Sequence, residues 1–121
     1  MVDALAFLDE KLESYGCPPA DQAKLDVIFD EIVSNIVKHS NASSFEISVE
    51  FTLDPRGVKL VFGDDGVAYD PLAHVDPDTT LPLEDRPIGG LGLLMVKKMA
   101  DSVSYERRRD RNCFTVFKTI D

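Results

Sequence analysis

The chain is short of basic residues, with 13 Lys and Arg against 22 Asp and Glu in 121 residues, a formal net charge of −9. That balance argues against a domain that works by holding nucleic-acid phosphates, and leaves basic protein partners and metal-bound nucleotides open. Cysteine is scarce as well. Cys17 and Cys113 have neither metal-ligand spacing nor the density of a disulfide framework, which points to a reducing cytoplasm. No basic leader opens the chain, and Asp3, Asp9 and Glu10 fall where a signal peptide would be apolar, so secretion is not expected. The longest apolar stretches, Leu60 to Phe62 and Leu91 to Val96 broken by Gly92, are far below the ~20 residues of a membrane span. Repeats and low-complexity tracts are lacking too. What is there, 44% hydrophobic and 29% charged residues, fits a single globular domain over residues 1–121. A chain of this size buries roughly two-thirds of its unfolded surface, enough for a core without disulfides or a structural metal.

Leu5, Leu8 and Leu12 recur at helical spacing among charged residues, predicting an amphipathic helix over residues 3–15 that Gly16 to Pro19 ends. From Asp21 as N-cap, Leu25, Ile28, Phe29, Ile32, Val33 and Ile36 predict a longer helix to about His39. At Ser44 the period changes to two: Phe45, Ile47, Val49, Phe51 and Leu53 alternate with polar residues, a strand with one wet face. Asp54 to Gly57 is turn chemistry and Val58 to Phe62 pairs back as a hairpin. Residues 63–92 carry glycines and prolines without periodicity, the mark of a functional or mobile segment. Leu93 to Ala100 predicts a third helix, and Val103 to Arg109 with Cys113 to Ile120 a second hairpin across Asp110-Arg111-Asn112. Hairpins separated by helices indicate an α+β sandwich with helices on one sheet face.

Three stretches carry chemistry. Glu31 and Asn35, four apart on one helix face, offer a carboxylate and an amide able to hold magnesium or position a hydroxyl; a solvated polar stripe is the alternative. Asp64, Asp65 and Gly66 leave a strand, where a carboxylate can face a pocket while the backbone turns beneath a ligand; a plain glycine-rich strand exit reads the same way. Gly89, Gly90 and Gly92 open a helix, where bare N–H groups at the positive dipole end suit phosphate; the alternative is a flexible helix entrance. That segment lacks both the Walker A and the dinucleotide fingerprint.

Together, Glu31 with Asn35, Asp64-x-Gly66, and Gly90-x-Gly92 resemble the N, G1 and G2 boxes of the GHKL ATPase superfamily. Asp65-Gly66-Val67-Ala68-Tyr69-Asp70-Pro71 and Arg86-Pro87-Ile88-Gly89-Gly90-Leu91-Gly92-Leu93 look most like its bacterial anti-sigma factor serine/threonine kinases, and the resemblance runs from about residue 4 to the end. It implies a Bergerat-type two-layer sandwich, with a mixed, mostly antiparallel sheet and helices on one face. Glu31 would be the general base for a serine or threonine hydroxyl, and Asn35 would bind the Mg²⁺ that bridges the phosphates of ATP. Asp64 would accept from the adenine amino group with Gly66 letting the ring approach. Gly90, Leu91 and Gly92 would present N–H groups to phosphate, Arg86 would meet γ-phosphate charge, and residues 72–88 would form an ATP lid.

The implied partner is a STAS-like anti-sigma antagonist, with a sigma factor as a second partner; neither nucleic acid nor membrane is expected. Typical members carry a leading strand that often contributes to a homodimer, and here Met1 and Val2 alone precede Asp3. Ala68 stands where the G1 box often has a second glycine. His39 reads as a helix-terminal cation or capping group, Asp65 as a solvated turn acid, and Arg107, Arg108, Arg109 and Arg111 as a solvated hairpin or a dock for an acidic partner. Two other readings compete with the kinase. One is a nucleotide-responsive module that sequesters a regulator without turnover, against which Glu31 argues. The other is a detached histidine-kinase catalytic domain, disfavoured because His39 and His74 do not sit on a phosphoacceptor helix.

Overall fold

The computed structural model describes residues 4–73 and 90–120. Helix α1 spans Ala4–Tyr15 and α2 spans Pro19–Asn35. Strand β1 is Phe45–Leu53, β2 Arg56–Asp64, β3 Ser102–Arg108 and β4 Arg111–Thr119, with α3 at Gly90–Met99 between β2 and β3. The sheet order is β1-β2-β4-β3. All three described pairings are antiparallel, in keeping with the α+β, mostly antiparallel sheet expected. Short hairpin turns join β1 to β2 and β3 to β4, and such turns permit only antiparallel neighbours.

The helices cover one face. Leu8 and Leu12 of α1, Leu25, Ile28, Phe29 and Ile32 of α2, and Leu93 and Val96 of α3 bury against Val58, Leu60, Phe62, Phe114 and Val116 of the two central strands. On the edge strand β1, Phe45, Ile47, Val49 and Phe51 are only partly buried against that core, and Leu53, at the end of the alternation, is 84% exposed. Among the described residues no helix is long and apolar enough to cross a membrane.

Boundaries depart from expectation where backbone chemistry overrides pattern. Pro18, not Asp21, occupies the N-cap of α2 and Asp21 lies in the first turn, because Pro19 at the first helical position has no N–H to leave unsatisfied. The α-helix stops at Asn35 and widens into a π-helical turn, Ile36–Ser40, closed by Asn41 at φ 51°. Helix α3 begins at Gly90, three residues earlier than its apolar stripe predicts. The second hairpin turns at Arg109 and Asp110, both at positive φ, with Arg108 paired to Arg111. Asn112 therefore belongs to the strand rather than the turn, and it is buried.

Strand register sets the stage for the site. On the helix-facing side of the sheet, one cross-strand row runs Phe45, Asp64, Asn112 and Arg107. The next row, Ile47, Phe62, Phe114 and Tyr105, is apolar except for the tyrosine hydroxyl. The polar groups thus collect at one end of an otherwise hydrophobic layer.

Candidate functional site

Helix α2 delivers Glu31 and Asn35 from one face, and α3 meets α2 at that level. The Glu31 carboxylate lies directly against Gly92, so that a Cβ on Gly92 would overlap its Oε2. A carboxylate beside the first turn of a helix sits at the positive end of the helix dipole, where uncovered N–H groups favour anions. The sequence-predicted base and the glycine-opened helix are therefore in contact.

One turn further along α2, Asn35 lines a small cavity of about 20 Å³ together with Ile32, Ile36, Ser40, Asp64, Tyr69, Pro71, Tyr105, Asn112 and Phe114. Asp64, 3% exposed, points its Oδ1 at two donors: the Gly66 backbone N–H at 2.9 Å and the Asn112 side-chain amide at 2.9 Å. Asn35 and Asp64 thus share one cavity, and Glu31 stands one helical turn from it at the start of α3.

The loop after β2 is tied down at several points. A Cβ on Gly66 would overlap the Ser40 carbonyl oxygen, and that carbonyl accepts the Val67 N–H at 2.8 Å. Gly66 is required here because the loop backbone packs directly on the π-helical turn. The Gly66 carbonyl in turn accepts from the Arg107 guanidinium at 2.8 Å. Asp65 accepts from the backbone N–H groups of Ser43 and Ser44 and from the Ser43 hydroxyl. The Ser43 hydroxyl bond, followed by the backbone bonds, holds this carboxyl down at about 2. Asp65 is thus a turn acid, as read from sequence, but one that fastens the β1 entrance to the site loop. His39 stacks on Tyr69, ring centroids 4.7 Å apart, so it too braces the loop rather than only ending a helix.

Of the arginine cluster, Arg107 binds Gly66, Arg108 pairs with Glu106 at 3.0 Å and Arg111 pairs with Glu46 at 2.6 Å. Three of these four side chains thus have a local partner, Arg108 and Arg111 through exposed ion pairs. Arg86, proposed to meet γ-phosphate, and residues 74–88 of the expected lid lie outside the described residues, as does His74. Gly90 and Leu91 enter only as backbone at the start of α3.

Sequence reasoning missed Asn112, Tyr105, Ser40 and Tyr69 as site residues. Two left a signal. Ser40 continues the i+4 series Ile28, Ile32, Ile36, and Asn112 precedes Phe114 and Val116 at period two, so each is a polar residue at a core position. Ser40 satisfies its buried hydroxyl by donating to the Ile36 carbonyl at 2.8 Å.

A nucleotide with magnesium is compatible with this donor set. Asp64 is a buried acceptor, the start of α3 offers backbone N–H groups, and Asn35 supplies a neutral oxygen. No group of three or more metal-ligating acids, histidines or cysteines exists among the described residues. Magnesium is commonly held by one or two protein oxygens plus substrate phosphates, so it needs no such cage.

The family model described as "Histidine kinase-like ATPase domain" matches residues 1–118. Over 94 residues the chain is 33% identical to the serine/threonine-protein kinase BtrW of Bordetella bronchiseptica, covering 76% of this chain and 66% of that protein. It is 28% identical over 88 residues to the serine-protein kinase RsbW of Bacillus cereus, covering 69% of this chain and 55% of that one. These alignments span between about half and two-thirds of the length of the curated relatives.

Proposed function

The chain belongs to the histidine kinase-like ATPase domain family, and from that premise we propose that it is a cytoplasmic Mg-ATP-dependent serine/threonine protein kinase of the anti-sigma type. Its substrate is a hydroxyl on a small STAS-like antagonist protein. A sigma factor is its second partner, bound or released according to the phosphorylation state of the first. The observation that carries the reading is the Glu31 carboxylate resting against Gly92 at the start of α3, with Asn35 and Asp64 in one cavity beside it.

In this reading Asp64 accepts the adenine amino group, and the N–H groups of Gly90, Leu91 and Gly92 hold phosphate oxygens. Asn35 holds Mg²⁺, which when bound offsets the phosphate charge that Glu31 would otherwise repel. Glu31 takes the proton of the incoming serine or threonine hydroxyl. That oxygen bonds to the γ-phosphorus, the bond to the β,γ-bridging oxygen breaks, and ADP leaves. Arg86 meets the charge that develops on the transferring group. Little covalent machinery is needed, since positioning and charge neutralisation supply most of the rate.

The test is transfer from γ-labelled ATP with Mg²⁺ into a lysate of the source cells, comparing the wild type with Glu31→Ala. A small protein labelled on Ser or Thr by the wild type, with the rate reduced about 100-fold or more in the variant, is the expected result. ATP binding without any wild-type-dependent label overturns the kinase in favour of a module that sequesters a regulator.

A further inference from the structure

Asn112 stands beside Asp64 in the polar row at the end of the sheet. Asn112 is 4% exposed, and every hydrogen-bonding position of its amide is used. Nδ2 donates to Asp64 Oδ1 at 2.9 Å and to the Val67 carbonyl at 2.8 Å. Oδ1 accepts from the Tyr69 backbone N–H at 3.2 Å and from the Tyr105 hydroxyl at 2.5 Å. Two of these partners have fixed polarity: a backbone N–H can only donate and a carbonyl can only accept. The amide therefore has one possible orientation, and its N–H, not its oxygen, faces Asp64.

The consequence falls on Asp64. Its Oδ1 is held by two donors, the Gly66 N–H and Asn112, while Oδ2 has no hydrogen bond among the described residues. We propose that Asn112 is the positioning residue that fixes which oxygen of Asp64 faces a bound purine, and so sets the preference for a purine carrying an exocyclic amino group. This rests on the reading of Asp64 as the adenine acceptor. A carboxylate with one oxygen anchored twice cannot turn to share its charge between its neighbours and the ligand. The Tyr105 hydroxyl, one cross-strand position away, completes the clamp by occupying the second lone pair of the amide oxygen. Asn112 also bonds both Val67 and Tyr69, so the same side chain ties the loop wall of the cavity to the sheet.

The test compares binding of ATP with that of purine riboside triphosphate, which lacks the 6-amino group, in the full chain at pH 5 and pH 8. Wild type prefers ATP by about tenfold at both, the size expected of one hydrogen bond to a charged acceptor. Asp64→Ala abolishes the preference. Asn112→Asp keeps the size and both acceptor contacts but removes the donors, so the preference is lost at pH 8. It returns at pH 5, where one proton shared by the two carboxyls restores a donor between them. Asn112→Ala loses the preference at both values.

A merely structural role would weaken both nucleotides alike, leaving the ratio near tenfold, and that result in either folded Asn112 variant overturns the proposal while the Asp64 reading stands. A wild type without preference overturns both. Should Asn112→Ala fail to fold, the pH-dependent ratio of Asn112→Asp decides the matter; far-ultraviolet circular dichroism of each variant establishes folding.

Discussion

Gly92 and Gly66 both lack a Cβ for want of room, yet the neighbour that fills the room differs, and so does the effect of adding a methyl group. At Gly92 the neighbour is the carboxylate end of Glu31, a flexible side chain that can swing away. Gly92→Ala should therefore fold nearly as well as wild type but displace the proposed base. Misplacing a reacting group by about 1 Å costs roughly 100-fold in rate, so phosphotransfer should fall by about that factor while ATP affinity changes little. Steady-state kinetics beside equilibrium nucleotide binding separate the two effects; equal losses in both would mean that Glu31 is not displaced from a catalytic position. At Gly66 the neighbour is the Ser40 backbone, which is anchored by the Val67 N–H and by the π-helical turn. Gly66→Ala should thus lower stability by about 1–3 kcal/mol, the usual penalty of overpacking, read as a lower urea midpoint.

Between elements, the α1–α2 contact carries a charge problem of its own. Burial, a carboxyl hydrogen bond to Asp9, and repulsion from Asp9, Asp30 and Glu13 push Asp26 up to about 7, and its Oδ1 is buried without a hydrogen-bond partner among the described residues. Gln22 of α2 reaches across to Asp9 at 3.2 Å and Glu13 at 3.4 Å, which relieves those two acids but not Asp26. Since the folded value lies above the unfolded one near 3.8, the folded state holds the extra proton between these values, and stability falls as pH rises from about 4 to about 7. Asp26→Asn removes the ionisation and should raise stability at pH 8 by about 1 kcal/mol, a figure reduced for solvent screening, with little change at pH 4. Urea melts at both pH values check this, and an equal effect at the two would refute it. The apolar stripes of all three helices and both hairpins could be read from sequence because periodicity records burial. The acids at positions 9, 13 and 26 could not, since on a helical wheel they are indistinguishable from a solvated face. The helix ends at Pro18 and Asn35 are hidden for a similar reason: proline chemistry and the widening to a π turn leave the apolar period unchanged. The Glu31, Asn35, Asp64 and Gly92 constellation is legible from box spacing, but Asn112 reads from sequence as a turn residue, which hides its place in the polar row.

Across the whole molecule, the candidate site draws on segments far apart in sequence: α2 and its π turn, the loop after β2, the start of α3, and the β3–β4 hairpin. A ligand that touches all of them binds only the folded chain, so its binding is a contribution to global stability. The cavity by Asp64 holds about 20 Å³, room for about one water, so it must widen to admit a purine. That widening reduces the apparent affinity without abolishing linkage. Mg-ATP at about 100 times its own dissociation constant should add roughly 2.7 kcal/mol to unfolding, whatever the value of that constant. For a domain of this length, with an unfolding entropy of about 2 cal/mol/K per residue, the melting temperature should then rise by about 10 °C. Asp64→Ala at the same nucleotide concentration should show a rise of less than about half that, because its fractional saturation falls with the lost adenine contact. Differential scanning calorimetry with and without Mg-ATP measures both. A wild-type midpoint unmoved by millimolar Mg-ATP would mean that the four segments do not form one nucleotide site, whereas an equal rise in both proteins would leave the phosphate contacts at α3 as the whole of the binding and remove Asp64 from it.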